Sequence, residues 1–378
     1  MSLKAILEAA YAAEAPYLSL LQDLVERETP SHDKAACDAF AAHLSARMAE
    51  RGLSVTRHAR DEAGDILEAR REGNGGDRTL ILCHYDTVWP FGTLAFMPFH
   101  RDGDKVFGPG AVDMKAGITA ALTAFGLLDE LDLRLAGDVT LLVTSDEETG
   151  SHASRALIEE LAGRHDRVLV LEPGRDDGAL KIGRKGVGTF ELRLRGRSAH
   201  AGNNPSDGAS ALRELAHMLL YVEDLGDEVA GTTVNVTVAK AGFATNVIAE
   251  EAEAFVDVRV LKMSEADRVT NAINGYTPRD SRVSLTVSGG MNRPPLELTR
   301  ANEALYSAAL DVLDGLGLRL DAGVVGGGSD GNFTSALGVA TLDGLGSVGG
   351  GPHARHEHIR LKESLERLAL LTGLLAEL

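Results

Sequence analysis

Three short apolar runs, residues 79–83, 139–144 and 168–171, are separated by two stretches of helical spacing, residues 116–131 and 153–161. A run that is apolar at every position belongs to a strand covered on both faces, and alternation with helices buries such strands in an α/β layer with a mostly parallel sheet. Ahead of this layer, Leu18, Leu21, Leu24 and Val25 recur at helical spacing before Pro30, and Phe40, Leu44 and Met48 do so before Gly52. Two helices are therefore expected to open the chain.

From about residue 184 the period changes to two. Phe190, Leu192 and Leu194 alternate with Thr189, Glu191, Arg193 and Arg195, the pattern of a strand with one bare face. A helix (208–222), two alternating strands (232–240 and 251–261), a helix (264–273) and a strand (283–288) complete a β-α-β-β-α-β order, the ferredoxin-like split βαβ unit. After Pro294 and Pro295 the α/β pattern resumes and ends in a leucine-rich helix over 361–378. The expected organisation is one α/β domain in two pieces, 1–183 and 295–378, interrupted by an inserted α+β domain, 184–294.

Function classes can be excluded from charge and composition. The formal net charge is 38 − 56 = −18, which repels a phosphate backbone, so nucleic acid is not an expected partner. No apolar run is read as approaching the roughly 18 to 20 residues of a spanning helix, so no membrane crossing is expected. Two cysteines, Cys37 and Cys83, are too few for a disulfide framework and fit a reducing compartment. Glu8 and Glu14 interrupt the N-terminal stretch where a signal peptide needs a continuous apolar core, so a cytoplasmic protein is expected. Met1 to Leu3 fit a cloning remnant.

Candidate metal ligands collect where strands end. The run LILC leads into His84 and Asp86, FGPGAVDM presents Asp113 ahead of a helix, LLVTSD leads into Glu147 and Glu148, VLVL leads into Glu172, and GGGPHARHEH supplies His353. Open α/β sheets place their sites at this edge. Carboxylates in that number repel one another, and a divalent cation removes the conflict. Three carboxylates and two imidazoles suit Zn²⁺, with Co²⁺ or Mn²⁺ as replacements, and one carboxylate bridging two ions gives two sites about 3.5 to 4 Å apart.

The motifs CHYDTVWP, GPGAVDMKAG, TSDEETGS, LEPG, GRSAHAG and GPHARHEHI, in this order, resemble the M20 metallopeptidase family over essentially the whole chain, nearest to its carboxypeptidase G2 branch. The resemblance implies a zinc-dependent exopeptidase fold with an inserted lid and dimerisation domain, two zinc ions per chain, and a homodimer. It implies that His84 and Glu172 hold one metal, Glu148 and His353 the other, and Asp113 bridges them. Asp86 would fix the His84 tautomer, Glu147 would be the general base for a metal-bridging hydroxide, and a cis peptide would follow Asp113. It further implies substrate contacts from His200, reaching the active site of a second copy, from Asn246 and Arg259, and from Arg293, whose guanidinium would grip a carboxylate bidentately. The implied reaction releases a C-terminal amino acid, glutamate being one candidate, from a small peptide or N-acyl conjugate; the alternative is an N-acyl amino acid deacylase of the acetylornithine deacetylase type. The G2-branch pattern has a lysine and a serine near residues 179–181, where this chain reads ALKIGRKG with Lys181 nearby.

Blander readings account for much of the rest. His32, His43, His58, His100, His165 and His217 stand apart from candidate ligands, and His356 and His358 are set aside in favour of His353. Asp257 with Arg259 also reads as a cross-strand ion pair, and Asn246 as a turn residue. The segment GGGSDGNF matches a nucleophile elbow at Ser329, with Asp343 and His353 following in order, and also matches G-x-G-x-x-G. Both matches leave the five ligand segments unexplained, and the chain after Ser329 is too short for the rest of an α/β-hydrolase.

Overall fold

The computed structural model describes residues 3–378. The cloning-remnant reading falls partly on Met1 and Ser2, outside the described residues, while Leu3 already opens the first helix. Contacts divide the chain into two compact units. One comprises the residues up to Gly183, Leu298–Val325 and Ser329–Leu378; the other comprises Arg184–Glu297 with Gly326–Gly328.

The first unit is built on a six-stranded sheet in the order Ser54–His58, Ile66–Arg71, Gly137–Thr144, Gly76–His84, Arg167–Val170, Ala340–Leu342. Its heart is parallel, since Gly76–His84 runs parallel to both neighbours and Ala340–Leu342 parallel to Arg167–Val170. The Ile66–Arg71 and Ser54–His58 edge is antiparallel. Register then fixes where the site lies. His84 pairs with Thr144 and Leu82 with Val170, so His84, the turn after Thr144 and the residues after Val170 emerge at one edge.

Helix Ala116–Glu130 is buried continuously from Ala116 to Leu128, as expected of a helix apolar on every side. Contrary to the reading that no run approaches membrane-spanning length, Ala111–Glu130 does so by length and composition; 94% of the qualifying window is buried inside the protein, the position of a core helix. A Cβ on its Gly117 would lie 2.2 Å from the Leu171 carbonyl, so only glycine lets the helix pack this close to the strand end that leads to Glu172.

Three helices, not two, open the chain: Leu3–Ala12, Glu14–Val25 and Lys34–Ala49. The first buries Ile6 and Ala10, an alanine-rich face that leaves little apolar signal. Pro16 offers no N–H to the Ala12 carbonyl and sits harmlessly in the first turn of the second helix. Asp33 caps the third by accepting from Ala36 N at 3.0 Å. A further small sheet, absent from the sequence reading, pairs Gly349–Gly350, His358–Arg360, Lys105–Phe107 and His100–Asp102 in that order. It lays the chain after His353 against the chain that leads to Asp113.

The inserted unit follows the expected β-α-β-β-α-β order, with a four-stranded antiparallel sheet ordered Thr233–Ala241, Glu251–Val260, Gly186–Arg195, Ser284–Arg293. Helices Ala211–Glu223 and Met263–Asn274 pack on one face of this sheet. Ala252, Ala254, Val256, Val258 and Val260 form one buried row beside Phe190, Leu192 and Leu194, and the opposite face carries Arg193, Arg195, Glu251 and Glu253. Arg184 and Leu296 close the two ends of the insertion with reciprocal backbone hydrogen bonds of 3.1 and 3.0 Å.

Candidate metal centre

Each ligand candidate owes its place to the end of an element. His84 is the last residue of strand Gly76–His84, Glu147 and Glu148 open the turn after Gly137–Thr144, and Glu172 lies two residues beyond Arg167–Val170. Asp113 sits in an irregular turn before helix Ala116–Glu130, and its peptide to Met114 is cis, as the resemblance implied. His353 follows Gly349–Gly350 with φ of +60°, a left-handed conformation uncommon outside glycine.

These five side chains form two groups that share Asp113. His84, Asp113 and Glu172 offer ligand atoms within 4.8 Å of one another, as do Asp113, Glu148 and His353. His84 Nε2 lies 3.2 Å from Asp113 Oδ1 and 3.4 Å from Glu172 Oε1. On the other side His353 Nε2 lies 3.4 Å from Asp113 Oδ2 and 3.2 Å from Glu148 Oε2. The two oxygens of one carboxylate thus face two imidazoles.

Asp86 stands behind this arrangement, fully buried. Its carbonyl is 3.0 Å and its Oδ1 3.3 Å from His84 Nδ1. A proton held on Nδ1 by these acceptors reserves Nε2, which faces Asp113 and Glu172, as the nitrogen that ligates once it gives up its own proton to a cation. The same carboxylate accepts from Glu147 N and Glu148 N, both at 3.2 Å, and from Ser31 Oγ at 2.8 Å. One side chain therefore orients the His84 ring and fixes the backbone of the 147–148 turn. Ser31 gave no sequence signal, because a serine after a proline reads as an ordinary loop residue.

Electrostatics follow from the crowding. Burial disfavours a charged His84 ring, but hydrogen bonds to Asp113, Asp86 and Glu172 outweigh it and hold the ring well above its ordinary value. Burial likewise disfavours a charged Asp113, yet hydrogen bonds from His353 and His84 keep its carboxyl well below the carboxylate range. Hydrogen bonds to Asp113 and Glu148 push His353 up to about 10. Glu148 is raised by burial, against its bond to His353. Protons and divalent cations compete for such a cluster, since metal binding needs neutral imidazoles and ionised carboxylates. The residues fit two divalent cations: the donor set is all nitrogen and oxygen, and Glu148 Oε1 is buried without a hydrogen-bond partner among the described residues.

The other predicted contacts fall in the inserted unit. His200 is exposed, and its Nδ1 accepts from Gly202 N at 3.1 Å and Asn203 N at 3.0 Å, which leaves the ring proton on Nε2. Asn246 is exposed on the neighbouring turn, where its carbonyl accepts from Ala201 N at 2.9 Å. Arg259 pairs with Asp257 through Nε at 3.0 Å and Nη2 at 2.9 Å, along one strand rather than across two. Arg293 is buried at the end of strand Ser284–Arg293, and a Cβ on Gly328 would lie 2.8 Å from its Cδ. The nucleophile-elbow match dissolves: Ser329 is fully buried and its Oγ donates to Asp343 Oδ2 at 2.6 Å rather than to an imidazole. His43 and His58 each meet a carboxylate, Asp23 and Glu68, outside both ligand groups.

Sequence reasoning missed Glu357 as a functional residue. Its carboxylate accepts from Gly110 N, Val112 N, Asp113 N and Trp89 Nε1. An acid within a histidine-rich segment reads as solvated, and only its spacing of four from His353 set it apart.

Comparison with known proteins yields a consistent set of matches. A family model described as peptidase family M20/M25/M40 matches residues 80–377. Carboxypeptidase G2 from Pseudomonas sp. (strain RS-16) is 30% identical over 382 residues, covering 99% of this chain and 92% of that protein. A succinyl-diaminopimelate desuccinylase from Thioalkalivibrio sulfidiphilus is also 30% identical, over 96% of this chain and 98% of its own. Among solved structures, aminopeptidase PepT from Bacillus cereus superposes with a TM-score of 0.83 at 20% identity, covering 96% of this chain and 98% of that one. A dinuclear metal binding M20 peptidase from Bacillus subtilis does so with a TM-score of 0.69 at 14% identity, covering 97% and 98%.

Proposed function

The chain belongs to peptidase family M20/M25/M40, and from that premise we propose that it is a hydrolase dependent on two divalent cations that cleaves an amide to release a C-terminal amino acid from a small peptide or N-acyl conjugate. The observation that carries this reading is the pair of ligand groups sharing Asp113. His84 and Glu172 would hold one cation, Glu148 and His353 the other, and Asp113 both, with zinc the ion best matched to the donors. Bound there, the cations would polarise the scissile carbonyl and activate an attacking water.

The chain's own residues do the rest. Asp86 keeps Nε2 of His84 free for ligation and holds the turn on which Glu147 stands. Glu147 takes a proton from the attacking water and returns it to the departing amine, as general base and then acid. Its neighbour Glu148 ligates, a division of labour that adjacent side chains after a strand permit because they diverge. His200, with its ring proton on Nε2, is a donor suited to a developing oxyanion. A second copy of the chain would supply it, in a homodimer formed through the inserted unit. Arg293 would bind the carboxylate of the released amino acid, and Asn246 and Arg259 would contact the substrate.

A second reading, an N-acyl amino acid deacylase, is favoured by the equal identity to a desuccinylase. Two measurements test both. Elemental analysis of unchelated protein is expected to find about two transition-metal ions per chain. A substrate panel then sets acyl and aminoacyl glutamates against acetyl and succinyl amino acids; preference for the first set supports the carboxypeptidase reading, preference for the second the deacylase. Folded protein that takes up no metal sinks both.

A further inference from the structure

Glu357 is almost wholly buried, and all of its hydrogen bonding is directed at the segments around the metal centre. Oε1 accepts from Val112 N at 3.0 Å and from Asp113 N at 3.2 Å. Oε2 accepts from Gly110 N at 3.0 Å and from the indole of Trp89 at 2.8 Å. An ionised carboxylate has about four lone-pair positions, and these four donors fill them. Its own carbonyl accepts from Gly108 N at 3.4 Å.

Three segments of the candidate centre meet at this side chain. The amide of Asp113, the residue shared by both ligand groups, is one of its donors. Trp89 lies three residues beyond Asp86, on the segment that leaves His84. Glu357 itself follows His353 by four residues, and Arg355 between them stacks its guanidinium 5.5 Å from the ring centroid of Phe96. The carboxylate thus ties together the chain segments that carry His84, Asp113 and His353, without touching either proposed cation position.

We propose that Glu357 is a positioning residue of the metal centre, holding the backbone of the 110–113 turn so that the two carboxylate oxygens of Asp113 face the two cation positions at once. The inference rests on the two-cation reading given above. Its physical basis is competition: without Glu357, the amides of Val112 and Asp113 become unsatisfied donors beside a carboxylate that accepts readily. The Asp113 carboxylate belongs to the same turn, and turning toward its own backbone would withdraw it from one imidazole or both. Residues that hold ligands in this indirect way typically govern metal affinity by about 10- to 100-fold.

The test compares wild type with Glu357→Gln, Glu357→Asp and Trp89→Phe by titrating metal-free protein with cobalt(II) chloride, following visible absorption and, separately, thermal unfolding. Glu357→Gln keeps the volume but turns one end of the group into a donor facing donors. It is expected to bind cobalt about 10- to 100-fold more weakly, with an altered cobalt spectrum and a fall in kcat larger than any change in KM. Glu357→Asp restores the charge one methylene short and should fall between Gln and wild type. Trp89→Phe removes one donor of four and should shift affinity the least. Folded Glu357→Gln or Glu357→Asp that unfolds at lower temperature yet binds cobalt with wild-type affinity and spectrum overturns the proposal and leaves a merely structural role. Should Glu357→Gln fail to fold, Glu357→Asp with unchanged affinity overturns it equally. Wild type that takes up no cobalt removes the metal reading itself, a different failure.

Discussion

The two halves of the candidate centre share a carboxylate but not an environment. The His84 side chain is 2% exposed and Glu172 9%, both at the ends of neighbouring parallel strands. In the other half Glu148 is also buried, but the His353 side chain is 52% exposed, on a loop with left-handed backbone. The first half is held by sheet register and by Asp86 against His84 Nδ1. The second is held by a turn and a loop, each pinned through another side chain, Asp86 for the turn and Glu357 for the loop. A buried position and a more accessible one therefore stand side by side. A symmetric ligand count thus need not mean equivalent sites.

That asymmetry is open to experiment. The largest effect is expected from Glu147→Ala, which removes the proton carrier but no ligand. Turnover should fall by about 10²- to 10⁴-fold while elemental analysis still finds the wild-type metal content; loss of an ion would mean that Glu147 belongs to the ligand set and that the halves are drawn wrongly.

Next, His84→Ala should remove metal and also lower the melting temperature, because it opens a cavity at a buried strand end and leaves Asp86 without its imidazole. His353→Ala should cost about one ion per chain with a much smaller thermal shift. Equal thermal losses in the two variants would dissolve the contrast. Asp86→Asn keeps the shape but weakens the hold on His84 Nδ1 and on the 147–148 turn. Affinity should drop about 10- to 100-fold, most strongly in the buried half.

The smallest effect concerns the wild-type protein alone. Zinc titration of metal-free material should resolve two steps whose dissociation constants differ by about tenfold or more, about 1.4 kcal/mol, with the tighter belonging to the buried half. A single step would show that exposure of His353 carries no thermodynamic weight.

How much of this was legible in the sequence depends on the residue. The candidate ligands His84, Glu148 and Glu172 could be read because each follows an apolar run that ends abruptly in polar residues, and strand ends in a parallel layer converge; Asp113 and His353, in glycine-rich segments, took their places from the family resemblance. The inserted unit was equally plain: the alternation from Phe190 to Arg195 matches its strand residue for residue. The first helix was not, since alanine at positions 5, 9, 10, 12 and 13 carries little apolar contrast. Nor were the antiparallel edge formed by Ser54–His58 and Ile66–Arg71 and the small sheet that seats the His353 loop, whose strands are as short as two residues. The apolar length of segment Ala111–Glu130 was under-read because Asp113 and Lys115 interrupt its start. The roles of Ser31, Trp89 and Glu357 depend on partners up to 268 positions away, which periodicity cannot reveal.

The reciprocal bonds between Arg184 and Leu296 have a consequence for descent. The two cut points of the insertion are neighbours in space, about 5.5 Å apart for a pair of this kind, a gap that a tight loop can bridge. A whole folding module could therefore enter or leave an ancestral chain there without rethreading the surrounding sheet. The three glycines 326–328, which group with the module from elsewhere in the chain, would have to be refitted after such an exchange.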